Sequence, residues 1–391
     1  MDDQKTMFGL KVHSISDVTF VSDFKIEFLD RTAAQVATIH ANKQNQVGVK
    51  ISLNMFVGDS NKEPANLAPE ELLHCLCLYD VASGKELLFK AYDNSSLSYT
   101  DVKTKYCKAV NYTDSHVYQE SIPYTEKARY THTMTFYVWA NDFNNFDIYA
   151  RLSHLSKDFY PDTYVDTSGD VKNFPKVILA INAIQAIYYS DKSLWEVPTN
   201  LNWIDHSWLD FHWDSGSTGT SNAPCTYAPM LIRSQKYISD PRYELVDFKV
   251  KGETSKKPEG ECSAWIGWKG KRYDTYGWWV EPVVRTPDPS ADAIGTDYPI
   301  RLTTNNWTGI NTWYTSRPKG EQLIKSSQLK GKDARGITLY VYNIQLRETD
   351  LVKRGWSDNI NNAYVTVTDA FGNSGEVVIA FHDTGYTPYI V

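Results

Sequence analysis

Val47, Val49, Ile51, Leu53 and Met55 take every second position of the run VGVKISLNMFV, with Gly48, Lys50, Ser52 and Asn54 between them. A period of two lines such residues up on one face of an extended strand and on no single face of a helix. The same period returns in residues 24–29, where Phe24, Ile26 and Phe28 alternate with Lys25 and Glu27. It returns again late in the sequence, where Val365 and Val367, then Val377, Ile379 and Phe381, stand on either side of Gly372 and Asn373. Apolar faces of this kind need a second layer to bury them, so alternation in both halves predicts layered sheets.

The remaining runs fit the same picture. Residues 11–23 and 33–39 are rich in β-branched side chains and read as strands, and HANKQNQ, 40–46, reads as a polar turn. Pro69, Glu70 and Glu71 can open one helical turn, after which the apolar run 72–79 reads as a buried strand. Residues 135–139 and 147–152 enclose an Asn/Asp turn at 141–145, the pattern of a hairpin. Residues 176–191 read as a strand, although Ile178, Ile181, Ile184 and Ile187 also suit one face of a helix. The order of these runs recurs in the second half. Residues 176–191 answer to 11–23, PIRLTTN at 299–305 to VKISLN, GITLYVY at 336–342 to 72–79, and 363–383 to the hairpin that starts near 135. A shared order of this sort predicts a duplicated β-unit, with the hairpins 135–152 and 363–381 in equivalent places.

The fold expected is therefore mostly β, with two tandem antiparallel β-sandwich domains of immunoglobulin-like type. The first covers 1–158 and the second 174–391, with a large Trp-rich insertion at about 192–297. The insertion opens on LWEVPTNLNWIDHSWLDFHW, 194–213, and contains AWIGWKGKRYDTYGWWVEP; eight of the twelve Trp of the chain fall within it.

Composition restricts what such a chain does. The net charge is −7 and no cluster of Lys and Arg stands out, so nucleic acid is not an expected partner. No segment reaches the roughly 18 consecutive apolar residues of a membrane-spanning helix. The first residues, MDDQKTMFGLKVHS, hold two acids and no apolar core, so the expected location is cytoplasmic as synthesised, or outside the cell by a route without a Sec signal. Five Cys in a chain of 391 residues do not make the even, dense framework of a small disulfide-bonded fold, and Cys75 and Cys77 read as small apolar strand residues on one face.

Short motifs carry little chemistry. Asp214-Ser215-Gly216 and Asp383-Thr384-Gly385 resemble the paired active-site loops of pepsin-like aspartic proteases, but the likeness stops at two tripeptides that are also common turn sequences. His212-x-Asp214, with His382 far downstream, resembles the ligand triad of non-haem iron oxygenases and lacks a basic residue placed to hold a co-substrate. Asp210, His212 and Asp214 alternate and would share one strand face, which makes them the candidate ligands for a divalent metal; a solvent-facing polar side opposite Phe211 and Trp213 is the favoured explanation. No cofactor motif is present: G-x-S-x-G, the P-loop, G-x-G-x-x-G and H-E-x-x-H are all absent.

The aromatic residues point to binding. The chain holds 26 Tyr and 12 Trp, whose flat apolar bodies and polar edges suit sugar faces and protein hot spots. The candidate ligand-binding residues are Trp203, Trp208, Trp265, Trp268, Tyr273, Tyr276, Trp278 and Trp279, and the expected partner is a carbohydrate or a protein surface. Trp278 and Trp279 are adjacent, so in a strand they fall on opposite faces and only one of them can enter a given core. The alternatives are a self-assembling homo-oligomer (a particle, a tail-like device or a crystal) and a membrane-active toxin component using the Tyr/Ser/Thr-rich stretch 95–133.

Overall fold

The computed structural model describes residues 6–7, 10–58, 63–91, 95–114, 131–169, 176–200, 204–213, 220–252, 264–271, 274–281, 299–303, 318–325, 335–345, 359–360, 363–381 and 388–391. Within 204–229, 249–325 and 338–363 the description is of backbone and strand register. The chain is mostly β and divides into two compact units, Met1–Ile187 with Phe371–Asn373, and Tyr188–Ala370 with Ser374–Val391.

In the first unit the principal strands are β1 (Val18–Phe28), β2 (Val36–Ala41), β3 (Val47–Val57), β4 (Leu76–Asp80), β5 (Leu97–Thr100), β6 (His132–Ala140), β7 (Asn144–Ser153), β8 (Tyr164–Asp166) and β9 (Leu179–Gln185), with helix α1 at Pro69–Cys75. One sheet runs β1-β3-β6-β5 and ends on the short strand Leu88–Phe89. The other starts at the short strand Asn111–Thr113 and runs β2-β9-β7-β4. Ile148 pairs with both Leu179 and Asp80, and Arg151 with both Asp166 and Cys77, so β9 and β8 share one edge of β7 and β4 takes the other. A single apolar cluster joins the two sheets. The alternation in β3 explains its place there: Val47, Val49, Ile51, Leu53 and Met55 are all at most 1% exposed. Ser52 and Asn54 on its other face are buried too. Glu27, 6% exposed, is held between Lys25 at 2.5 Å and Lys50 at 3.2 Å.

Several sequence expectations are corrected. Residues 135–152 do not form a hairpin, because β6 pairs with β3 and β5 while β7 pairs with β9, β4 and β8. The link at 141–143 carries the chain from one sheet to the other, and the Asn141 amide N–H donates to Ser96 O at 2.9 Å instead of closing a turn. Ala363–Asp369 and Ser374–Phe381, by contrast, are a paired hairpin, so the two segments are not equivalent and the duplication loses its main support. The run 72–79 is divided between α1 and β4, which puts Cys75 at the end of a helix and Cys77 in a strand rather than together on one strand face. Residues 11–23 are interrupted by a 3-10 turn at Ile15–Asp17, where Glu71 Oε1 accepts from Ile15 N at 2.7 Å and from Ser14 Oγ at 2.9 Å. The ambiguous segment 176–191 contains β9, which runs parallel to β2 and belongs to the first unit.

The polar turn at 40–46 is buried at both ends and exposed at Lys43 and Gln44. His40, Asn45 and Gln46 are each at most 2% exposed, and their polar atoms close a network. Asn45 Oδ1 accepts from His40 N at 2.8 Å, and Asn45 Nδ2 donates to Tyr106 O and Lys108 O. Asn42 Nδ2 donates to Phe371 O at 3.0 Å and to Asn373 Oδ1 at 2.9 Å, and Ile187 N donates to the same Asn373 oxygen.

In the second unit the strands are β10 (Ile204–Trp213), β11 (Thr220–Ser234), β12 (Leu245–Gly252), β13 (Ala264–Lys271), β14 (Asp274–Glu281), β15 (Pro299–Thr303), β16 (Pro318–Lys325), β17 (Gly336–Gln345), β18 (Asn359–Ile360), β19 (Ala363–Asp369), β20 (Ser374–Phe381) and β21 (Pro388–Ile390), with helix α2 at Gln235–Ser239. Among the described residues, a nine-stranded sheet runs β15-β16-β10-β11-β17-β14-β13-β18, with Trp195–Glu196 added on β11. A smaller sheet runs β12-β19-β20-β21. The Trp-rich strands are interior members of the large sheet. Buried positions lie in both sheets: Met230, Ile232 and Ile337 in the large one, and Leu245, Val365, Val367, Val377 and Ile379 in the small one.

Candidate functional site

Five of the eight aromatic residues singled out from sequence lie on two adjacent strands. Trp265 and Trp268 lie in β13, and Tyr276, Trp278 and Trp279 in its neighbour β14. Glycines at 267, 270 and 277 disfavour a helix here and are tolerated in short paired strands. The register pairs Trp265 with Trp279 and Trp268 with Gly277, with an irregularity between Trp265 and Gly267. On the far side β17 pairs Trp279 with Tyr340, Trp278 with Val341 and Gly277 with Tyr342. Beyond it β11 pairs Tyr340 with Pro229 and Tyr342 with Tyr227. Two cross-strand rows result, Trp265–Trp279–Tyr340–Pro229 and Trp268–Gly277–Tyr342–Tyr227.

Tyr227, Tyr340 and Tyr342 are members that the sequence reading missed. Tyr340 and Tyr342 alternate in LYVY, which marks a strand face, but nothing local says that this strand lies beside β14. Trp208 falls in β10 at the irregularity between His206 and Leu209. Trp203 and Tyr273 lie outside the described residues. Asp210 and His212 occupy alternate positions of β10, opposite Asn222 and Thr220, whereas Asp214 lies outside the described residues. Among the described residues no group of three or more His, Cys, Asp or Glu is placed to hold a metal ion.

Two polar clusters with described side chains serve the scaffold. In the second unit Tyr189 Oη donates to Asp369 Oδ2 at 3.0 Å, both side chains being buried, and Trp195 Nε1 donates to Tyr189 O at 2.9 Å. Burial, and then the neighbouring Asp369 carboxylate, push the Tyr189 phenol well above its ordinary pKa, so it stays protonated as the donor. In the first unit the Arg151 guanidinium lies 4.0 Å from the Tyr164 ring centre and 4.4 Å from that of Tyr79. Arg151 Nε and Nη2 both donate to Asp166 Oδ2, at 3.2 and 3.0 Å. The cation is thus engaged with β4, β7 and β8 at once and fastens them together.

No helix among the described residues is long and apolar enough to cross a membrane. No family model matches the sequence, and no curated protein matches it.

Proposed function

We propose that this chain is a non-catalytic binding protein that recognises a carbohydrate or a protein surface through the aromatic residues of its second unit. In this reading each unit is a β-sandwich of immunoglobulin-like kind, and the strands between 192 and 297 enlarge the second. The observation that carries it is adjacency: β13, β14 and β17 are consecutive neighbours and contribute Trp265, Trp268, Trp279, Tyr340 and Tyr342 to two neighbouring rows. Large rings gathered on rigid strands give contact area at little entropic cost, which is why Trp and Tyr dominate binding hot spots.

A glycan array probed with the labelled full-length chain, run beside light scattering over a range of concentrations, tests the reading. Saturable binding to one glycan class by a chain of constant mass supports it. A mass that grows with concentration transfers the surface to a second copy of the chain, the self-assembly alternative. A constant monomer that binds no glycan and no immobilised protein overturns it.

A further inference from the structure

We propose that one edge of the first unit docks on an anionic lipid bilayer, with lysines of two neighbouring loops among the headgroups and three apolar side chains in the interface below them. The proposal concerns a different surface from the aromatic strands of the second unit and stands independently of the reading above.

The loops are 40–46 and 101–110, and buried side chains of the first hold the backbone of the second. Gln46, 1% exposed, accepts from Thr104 N at 2.8 Å through Oε1 and donates to Val102 O at 3.4 Å through Nε2. Asn45 Nδ2 donates to Tyr106 O at 3.0 Å and to Lys108 O at 2.9 Å. Thr104 Oγ1 donates to Gln44 O at 3.3 Å. Backbone groups satisfied from within fix the path of the loop and leave its charged side chains to the outside. Lys43, Lys103, Lys105 and Lys108 are all exposed. Neither 40–46 nor 102–110 contains an acid. Asp101, which opens the second loop, is paired with Lys90 Nζ at 2.8 Å, and Asp30 accepts from the Tyr112 hydroxyl at 3.5 Å. Glu86 lies beside Cys77 and Tyr99. The spacing K-x-K-x-x-K at 103–108 is too short to stand out in sequence, and Lys43 joins it only through the fold. Lys43 and Lys90 have φ of 64° and 56°, in the left-handed region that glycine fills at no steric cost. Lysine at these two turns keeps a charge where the backbone favours a residue without one.

The same edge exposes apolar side chains. Val102 is 57% exposed, Leu88 50% and Phe89 36%. The strand Leu88–Phe89, which ends its sheet, pairs with Ser98 and Tyr99 of β5. Lys90 N donates to Tyr99 O at 2.8 Å, and the Lys90–Asp101 pair ties this strand to the residue before Val102. A single exposed aliphatic residue is ordinary. Three apolar side chains beside a group of lysines match the lipid interface, where apolar groups enter below the headgroups and ammonium groups stay among the phosphates. A soluble polyanion would engage the lysines and leave Val102, Leu88 and Phe89 in water. The net charge of −7 belongs to the whole chain; exposed charges farther off than about 8 Å are largely screened at physiological salt, so the local excess of lysine governs this contact.

The test mixes the full-length chain with phosphatidylcholine vesicles, with and without phosphatidylserine, at low and at high salt, and separates bound protein by flotation. Binding is expected only with phosphatidylserine and should weaken as salt rises. Each lysine near an anionic surface contributes about fivefold, so the triple variant Lys43→Gln, Lys103→Gln, Lys108→Gln should lose about a hundredfold. Val102→Asp should lose about tenfold through the apolar contact. No binding to the phosphatidylserine vesicles, or binding by the triple variant within twofold of the unaltered chain, overturns the proposal. Full binding by Val102→Asp overturns it too, because the contact is then one that heparin or RNA would satisfy. If circular dichroism shows that a variant does not fold, lysine acetylation of the unaltered chain, read by mass spectrometry, decides. Lys43, Lys103 and Lys108 should be protected by phosphatidylserine vesicles and not by phosphatidylcholine alone; equal modification in both overturns the proposal.

Discussion

Asp369 is fully buried, and the Tyr189 hydroxyl donates to it at 3.0 Å. A buried carboxylate is costly unless its lone pairs are used, so this one bond is worth more than its surface equivalent. Tyr189→Phe removes the donor while keeping the ring, and is expected to cost about 1.5–3 kcal/mol in urea unfolding. An unchanged midpoint would show that the bond contributes nothing. The described thiols offer a second check. Burial raises Cys77 to about 12, and Cys75 and Cys107 each to about 11, above the ordinary thiol value of 9.0. All three are free in the structure. Because the thiolate is the reactive species, these cysteines should resist alkylation at pH 8 in the native chain and react on denaturation, as mass spectrometry would show. The linkage has a definite sign: the unfolded thiols ionise first, so stability contributed by these groups is intact below about pH 9 and lost as pH climbs towards 11–12. Rapid native labelling at pH 8, or stability that rises above pH 9, would contradict this.

At the scale of elements, alternation identified strands and could not identify their partners. The run VGVKISLNMFV is a strand because its period is local, and β3 is found where that period predicts. The segments beside Asn141 also alternate, but whether they pair with each other depends on β3, β5, β9 and β4, all distant in sequence. The same limit hid Tyr340 and Tyr342, whose strand was visible and whose neighbour was not. HANKQNQ was legible as a turn, whereas its burial depends on partners at Tyr106, Lys108 and Gln185 that sequence does not announce. The pairing of β11 with β17 can be tested directly. A Cβ on Gly336 would lie against the Ile232 carbonyl oxygen, a backbone group that cannot rotate aside. Gly336→Ala is therefore expected to destabilise by about 1–3 kcal/mol or more, as overpacking does. Wild-type stability in that variant would mean that β17 does not approach β11 this closely.

For the whole molecule, a mostly β chain of two compact units places Trp265, Trp268, Trp278, Trp279, Tyr340 and Tyr342 in adjacent strands of one sheet. The Trp-rich segments were plain from sequence; their strand neighbours were not, because pairing with β17 and β11 depends on residues distant in sequence. The account turns on two adjacent residues, Trp278 and Trp279, which are consecutive in β14 and so belong to opposite faces of the sheet. Equilibrium urea unfolding of Trp278→Ala and Trp279→Ala, side by side with the unaltered chain, measures that division. Removing a core tryptophan costs about 3–5 kcal/mol, whereas removing one from an open face changes stability by about 0.5 kcal/mol or less. The account predicts a large loss for one of the two variants and a near-native midpoint for the other; large losses in both would contradict it.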